Sequence, residues 1–409
     1  MADGKARSFG GGVNQSGVRD YNERLLLSMI QRNGPMSGSD LARKAGLSAQ
    51  TVSVILRGLE KEGLLIRGAP QRGRVGKPSR PMALAPSGTF SFGLKIGRRS
   101  ADLALMDFLG NIRRQLRITY RYPLPDGIFA FLRDGIENLS ALLSPRERQR
   151  ISGIGLALPF EIWKWDHAIG APAEEFAAWR EVDLAQRIGA FSPLPVFVSN
   201  DATAACHAEH IFGRGKEFRD YAYFFIAAFI GGGVVMNNSV VAGSHGNAGA
   251  FGSLPAFGGE RGTRQLIDTA SLHLLERRLE AAGLAPGMLW ENPEDWSGIE
   301  VHVAPWIEHT GRELATAALT VCAVIDFEAI LIDGGFPPDV RTRLVSETRN
   351  RLEQLDARGV IKPRIEGGSV GGNARVIGAA SAPIFAQYFF DTNAGLALER
   401  GNPGSDTAA

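Results

Sequence analysis

Gln50, Thr51, Ser53 and Arg57 fall within eight residues of one another and carry the side-chain types that read a base-pair edge or grip a phosphate. A glutamine pairs bidentately with adenine, a threonine offers thymine a methyl contact or phosphate a hydroxyl, and a serine is permissive. Arg57, a turn further on, is placed for backbone phosphate. This chemistry requires the four on the outer stripe of one helix, together with Val54. The intervening Val52, Ile55, Leu56 and Leu59 recur at helical spacing and form the inner stripe. Leu41, Ala42, Ala45 and Leu47 make a similar stripe just before, and Gly46 marks the turn between the two helices. Ser48 is positioned to cap the second helix, its hydroxyl satisfying a free backbone N–H.

After these helices, Gly63 to Arg67 reads as a strand, Gly68 to Arg80 as a loop rich in Gly and Arg, and Met82-Ala83-Leu84 as a returning strand. The pattern is a winged helix-turn-helix over residues 18–86, with Arg74, Lys77 and Arg80 in the wing available to displace counterions from duplex DNA. From Val18 to Leu84 twelve basic residues face five acidic ones, so this segment nets about +7 while all 409 residues net only +2. The alternative for the same pattern is a three-helix protein-binding domain with a solvated basic loop.

With 44% hydrophobic and 22% charged residues, a chain of this length has material for about three globular units. Cys206 and Cys322 are too few for a disulfide framework or a cysteine-rich zinc site, which fits a reducing cytoplasm. No apolar run is long enough to span a bilayer, and polar, Gly-rich residues 1–17 lack a signal-peptide core, so they are expected to be a disordered arm. Residues 396–409 are expected to be a loose tail. Pro286 to Gly298 reads as an excursion pinned to the surface by Trp290 and Trp296.

The body alternates strands and helices. Phe90 to Leu94, Ala101 to Asp107 and Arg113 to Tyr120 read as strands, followed by a helix over Ile128 to Leu143 and strands at Ile151 to Leu158 and Val196 to Ser199. A second run begins at Tyr221 to Ile226, meets Gly231-Gly232-Gly233 and continues through Val234 to Met236. Glu308 to Ile325 has helical periodicity, Ala329 to Ile332 is a short strand, and Gly334-Gly335 precedes a helix starting at a Pro-Pro pair. That strand-Gly-Gly-helix order is also what a phosphate-facing loop looks like. Ala374 to Phe390 reads as a closing helix. These segments imply a first α/β lobe over 87–199, completed by helix 374–395, and a second over 200–373.

In series, these segments resemble the ROK family of repressors, open reading frames and sugar kinases, specifically its winged-helix regulators. The resemblance rests on Ser91 to Gly97, Asp107 to Ile112, Val198 to Ala205 leading to Glu209 and Phe212-Gly213, Ile230 to Val235, and Gly243 to Ser253. It implies an actin-like, ribonuclease-H-like ATPase fold of two α/β lobes, with a sugar in the cleft between them. Family regulators are homo-oligomers, and a dimer would set two wings on a two-fold operator.

Within that resemblance, Asp201 corresponds to the general base of the kinases, which takes a proton from a sugar hydroxyl. Family kinases also carry an Asp and a Gly-Gly-Thr in the first hairpin, where this chain has Lys95-Ile96-Gly97-Arg98-Arg99. Ala227-Ala228-Phe229-Ile230 stands where they have a Gly-Thr-Gly loop. Because phosphoryl transfer depends on positioning and charge neutralisation, their loss implies no kinase activity. Asp201 is then read as a hydroxyl acceptor, and Asn200 beside it as both donor and acceptor. Alternatively, Asn200-Asp201 caps the helix that follows.

The family's Glu, His and cysteine trio is replaced by Ala250, Ser253 and no cysteine through Arg264, so neither zinc nor another cofactor is expected. Asn247 and Gln265 fall where the family contacts sugar, and Glu161 lies in a loop that approaches it. His245 is either structural or a ligand group. Trp163, Trp165 and Trp179 either stack on a sugar or pack between lobes. The resemblance thus implies a cytoplasmic DNA-binding regulator, a repressor of carbohydrate genes, whose partners are operator DNA, a sugar or derivative, and a second copy. An active sugar kinase and a ligand-independent regulator are the alternatives.

Overall fold

The computed structural model describes residues 15–69, 80–164, 172–256 and 264–390. Three helices open it: α1 (Gln15–Asn33), α2 (Gly38–Ala45) and α3 (Ala49–Glu62). Gly46 ends α2 at φ 68°, a left-handed conformation glycine adopts without strain, and this reverses the chain into α3. Ser48 caps α3 by accepting the Thr51 N–H. β1 (Leu65–Arg67) and β2 (Met82–Leu84) pair antiparallel as the base of a wing. Helix α1 begins at Gln15, so the last three residues of the expected disordered arm are helical. The burial of Leu26, Leu27 and Ile30, further along α1, stabilises the helix whose first turn begins with residues 15–17.

The apolar core of this module continues without a break into Met106, Phe108, Ala380, Ile384 and Phe389 of the body. The boundary near Pro86 therefore divides the chain but not the core.

Two sheets of identical plan follow. In the first lobe β3 (Phe90–Ile96), β4 (Ser100–Asp107) and β5 (Ile112–Thr119) form an antiparallel meander. After helix α4 (Pro125–Ser140), β6 (Ile151–Leu158) and β7 (Val196–Asn200) join in parallel, in the order β5-β4-β3-β6-β7. Helix α5 (Asp201–Phe212) then leads into β8 (Tyr221–Ile226), β9 (Ile230–Met236) and β10 (Ser239–Val241). A small hairpin, β11 (Pro255–Ala256) and β12 (Arg264–Gln265), and helices α6 (His273–Ala281) and α7 (Glu300–Val324) precede β13 (Ala329–Gly334). Helix α8 (Pro338–Gln354) and β14 (Arg364–Gly367) complete the second sheet in the order β10-β9-β8-β13-β14. The closing helix α9 (Ala374–Tyr388) returns to pack on β3 and β6 of the first sheet, while α5 packs on β9 of the second. Such duplicated sheets with helices crossing between them are the actin-like, two-lobed α/β architecture.

β3 is buried at all seven positions because both faces of its sheet are covered, whereas the edge strand β5 carries its arginines outward. Gly231-Gly232-Gly233 does not interrupt a strand but lies inside β9. A Cβ at Gly231 would sit 2.7 Å from Ala202 Cβ, and one at Gly233 2.5 Å from Cys206 Cβ, so the glycines let α5 lie directly on the sheet. Residues 286–298 lie largely at the surface and are anchored to the core of the second lobe by Leu289 and Trp296, both buried, with Trp290 packed against it. Trp179 and Trp163 pack within the first lobe rather than between lobes, Trp179 donating its indole N–H to the Pro123 carbonyl at 2.9 Å. Trp165 and residues 396–409 lie outside the described residues. The closing helix stops at Tyr388, short of the expected 395, where α1 meets it.

Candidate functional site

Two surfaces gather the residues singled out from sequence, and one helix joins them. On α3, Val52, Ile55, Leu56 and Leu59 are buried, which leaves Ser48, Gln50, Thr51, Ser53 and Arg57 exposed together along the opposite stripe. The Ser48 hydroxyl accepts the Thr51 N–H at 3.0 Å and pairs with the Thr51 hydroxyl at 2.8 Å. Arg57 Nε donates to the Ser53 carbonyl at 3.1 Å. Arg80 is exposed just ahead of β2, and Arg74 and Lys77 fall outside the described residues.

Guanidinium groups fasten this module to the body. Arg150 donates to the carbonyls of Glu62 and Ser87, both at 2.9 Å, so it closes the C-terminal end of α3 onto the first lobe. Arg24 on α1, a buried arginine, donates to the carbonyls of Ala386 at 3.0 Å and Phe389 at 2.9 Å at the end of α9. A cation there also complements the negative end of the helix dipole.

Between the lobes lies a cleft of about 460 Å³, lined by Glu161, Asn200, Asp201, Asn247 and Gln265, the five polar positions singled out from sequence. Asn200 ends β7 and caps α5, its Oδ1 accepting the N–H of Ala202 at 2.9 Å and of Thr203 at 3.2 Å. Its amide nitrogen is not used by the cap. Asp201 pairs with Arg375 on α9 at 3.2 Å. Glu161, at φ 48°, pairs with Lys164 at 2.7 Å. Gln265 is exposed at the rim, its backbone N–H held by Asp268 at 3.2 Å. His245 is exposed and does not belong to the lining.

Arg98, Phe229 and Arg375, which also line the cleft, were not among the expected site residues. Arg98 and Arg99, on the β3–β4 turn, both donate to Glu276 of α6, at 3.0 and 2.9 Å, and so tie the two lobes together. Arg98 lies over the Phe229 ring at 5.4 Å, and Phe229 packs against His273 at 5.4 Å. Burial lowers the pKa of Arg98, and burial followed by the Arg98 charge lowers that of His273. Behind them Lys95 is buried against Asp102 at 2.8 Å. Burial opposes ionisation of Asp102, but Lys95 and then Arg117 outweigh it and hold its pKa at about 2. Arg375 gave no sequence signal, because its partner Asp201 is 174 residues away.

The Gly334-Gly335 segment offers no free amides to a phosphate. Gly335 donates to the Ile226 carbonyl at 3.0 Å, and the Gly334 N–H is taken by Asp333 Oδ1 at 2.9 Å. Asp333 is wholly buried and also accepts from Gly371 N at 2.8 Å and Arg341 at 3.1 Å. The strand-Gly-Gly-helix order is thus a closed junction between β13 and α8. Among the described residues no group of three or more His, Cys, Asp or Glu side chains is arranged to hold a metal ion. Nor is any described helix long and apolar enough to cross a membrane.

Comparison with known proteins matches residues 91–264 to the ROK family and residues 19–66 to a winged helix-turn-helix DNA-binding family. The chain is 25% identical over 369 residues to uncharacterized protein y4fQ of Sinorhizobium fredii, covering 90% of this chain and 92% of that one. It is 28% identical over 242 residues to the xylose repressor of Bacillus spizizenii, covering 59% of this chain and 62% of the repressor, so it spans less than two thirds of that relative. Among solved structures, a ROK family transcriptional regulator described as a homolog of the E. coli MLC protein superposes with a TM-score of 0.66 at 21% identity. That match covers 91% of this chain and 97% of the other.

Proposed function

Taking as premise that the chain carries a ROK family domain behind a winged helix-turn-helix, we propose that it is a DNA-binding transcriptional regulator of carbohydrate genes. In this reading it is a repressor, controlled by a sugar or sugar derivative in the interlobe cleft and without kinase activity. The observation that carries the reading is the span of α9: Arg375 near its start pairs with Asp201 in the cleft, and carbonyls at its end are held by Arg24 of the DNA-binding module. A ligand that competes for Asp201 changes the constraint on a helix whose far end is part of the winged module's core. Differential binding to the two arrangements then shifts the DNA-bound population, which equal binding cannot do.

Gln50, Thr51 and Ser53 are assigned to base edges, Ser48 and Arg57 to phosphate near the start and along the flank of α3, and Arg74, Lys77 and Arg80 to phosphates under the wing. Asn200, Asp201, Asn247, Gln265 and Glu161 are assigned to the sugar. The functional units are the winged module over 18–86 and lobes over 87–199 with 374–388, and 200–373. A cytoplasmic homodimer presents two α3 helices to one operator. The loss of phosphoryl transfer is supported by Arg98 and Phe229, which stand on the cleft wall where the resembled kinases carry their phosphate-binding residues.

The test is selection of bound fragments from genomic DNA with purified protein, repeated with candidate sugars. Recovery of discrete fragments that a sugar releases supports the proposal, and failure to retain any fragment at low ionic strength overturns it. The retained Asp201 favours one rival, a working kinase. ATP, magnesium and a sugar panel in a coupled assay decide against our reading if turnover appears and Asp201→Asn abolishes it.

A further inference from the structure

Val54 has no role in the assignments above, and its place on α3 is specific. The buried Val52, Ile55, Leu56 and Leu59 set the inward direction of this helix. At about 100° per residue, the line diametrically opposite runs through Gln50, Val54, Arg57 and Lys61, with Thr51 and Ser53 to either side. All six of these side chains are exposed. The module leaves four large apolar side chains exposed among its described residues, Val18, Tyr21, Val54 and Ile66, and Val54 alone stands on the outer stripe of α3.

Stability alone does not favour a valine there. At 51% exposure it gains only part of the burial energy of its inward neighbours, and a β-branched residue has a lower helix propensity than alanine, glutamine or arginine. Its neighbours one turn away on the same line, Gln50 and Arg57, are polar, so it builds no apolar patch with them. Those two side chains can hydrogen-bond to a base edge or a phosphate, and Val54 cannot. A major groove presents donors, acceptors and one strongly apolar group, the 5-methyl of thymine. Over any other base edge the isopropyl group would strip water from a donor or acceptor and replace it with nothing.

We infer that Val54 is a specificity-determining residue that reads thymine through its 5-methyl group at the centre of the DNA-reading face. Gln50 and Val54 are one turn apart, about 6 Å along the helix axis at ~1.5 Å per residue. Base pairs rise about 3.4 Å each, so this thymine falls within about two base pairs of the base that Gln50 reads. The inference rests on the DNA-binding reading above and adds to it a base that the bound duplex must carry.

The test starts from a duplex that the full-length protein selects from genomic DNA. Each thymine is replaced in turn by uracil, which removes the methyl and keeps every hydrogen-bonding group, and binding is followed by fluorescence anisotropy. The expected result is a thymine whose replacement weakens binding about three- to fivefold, within about two base pairs of the position where Gln50→Ala relaxes base choice. Val54→Ala should bind the thymine duplex about three- to fivefold more weakly than the parent and lose most of the penalty for uracil at that position, so the two changes do not add. Its salt dependence should keep the parent's slope, because no phosphate contact is lost. Its melting temperature should be unchanged or slightly raised, because alanine favours the helix, so weakened binding then reports lost recognition and not unfolding. Uracil tolerated at every thymine, or a penalty that persists undiminished in Val54→Ala, would overturn the inference and leave the DNA-binding regulator standing. Equal weakening of Val54→Ala on thymine and uracil duplexes would set the valine against sugar and also count against it. Failure of the parent to retain any duplex at low ionic strength would overturn the regulator and the inference together.

Discussion

Gly378→Ala tests whether α9 is as tightly wedged as its role between cleft and DNA-binding module requires. A Cβ at Gly378 would fall on the Ala204 carbonyl of α5, far inside the 3.0 Å that real Cβ atoms keep. Restoring ordinary contact at 3.4 Å means parting the two helices by more than ~1 Å, and the obstructing atoms are backbone, which cannot rotate aside. Two effects oppose each other. Replacing a mid-helix glycine by alanine favours the helix by about 1 kcal/mol, while overpacking of an immovable contact costs about 3 kcal/mol or more. The net loss should be at least about 2 kcal/mol, a fall of about 2 °C or more in melting temperature for a chain of this length.

The same opening acts on the cleft, because Arg375 and Asp201 sit one helical turn before Gly378 and Ala204 on the same two helices, at 3.2 Å. The control is Gly127→Ala in α4, where nothing lies within 4 Å and helix propensity alone should leave the melting temperature unchanged or slightly raised. Differential scanning calorimetry of both variants decides. Gly378→Ala melting within about 1 °C of the parent would refute the wedge, since the propensity gain would then have met no resistance.

Arg24→Met removes donors from the Ala386 and Phe389 carbonyls while keeping most of the apolar stem, and should cost about 2–4 kcal/mol in urea unfolding. A loss below about 0.5 kcal/mol would show that the shared apolar core alone joins α1 to α9. Asn200→Ala should cost about 1 kcal/mol by losing the cap of α5, and Asn200→Ser, which keeps a capping oxygen, should recover most of it. Equal losses in the two variants, measured by thermal melts, would remove capping as the cause.

Asp333 carries a pH signature. Burial first, against the opposing charge of Arg341, raises its pKa from 3.8 to about 6. A folded-state pKa above the unfolded value means the native state binds the extra proton between these values, so this group's contribution to stability falls as pH rises from about 4 to 6 and is lost above that. Asp333→Asn should flatten this part of the stability–pH profile, and an unchanged slope in the variant would assign the dependence to other groups.

The winged module was legible because its logic is local. Gly46, the cap at Ser48 and the 3.6-residue recurrence of Val52, Ile55, Leu56 and Leu59 settle two helices and their exposed stripe within twenty residues. β6 and β8 were equally plain, as buried apolar runs with clear ends. Gly231-Gly232-Gly233 was legible as part of a β-rich run, but its reason was not: the glycines are there because α5 presses on the strand, a contact that spacing along the chain does not record. Helix α1 hid its start because its apolar partners are on β2 and α9, far along the sequence.

The sequence by itself determined the two helices of the helix-turn-helix, the principal strands of both sheets, which stripe of α3 meets solvent, and that a positively charged module precedes a body of two α/β lobes. Each of those follows from short-range spacing and side-chain type. Only the tertiary structure decided that Arg375 meets Asp201 across 174 residues, that Arg24 meets Phe389 across 365, and that Arg98 and Arg99 converge on Glu276. Those pairings arise where helices cross between sheets, and no local periodicity records which distant carboxylate or carbonyl a guanidinium will find.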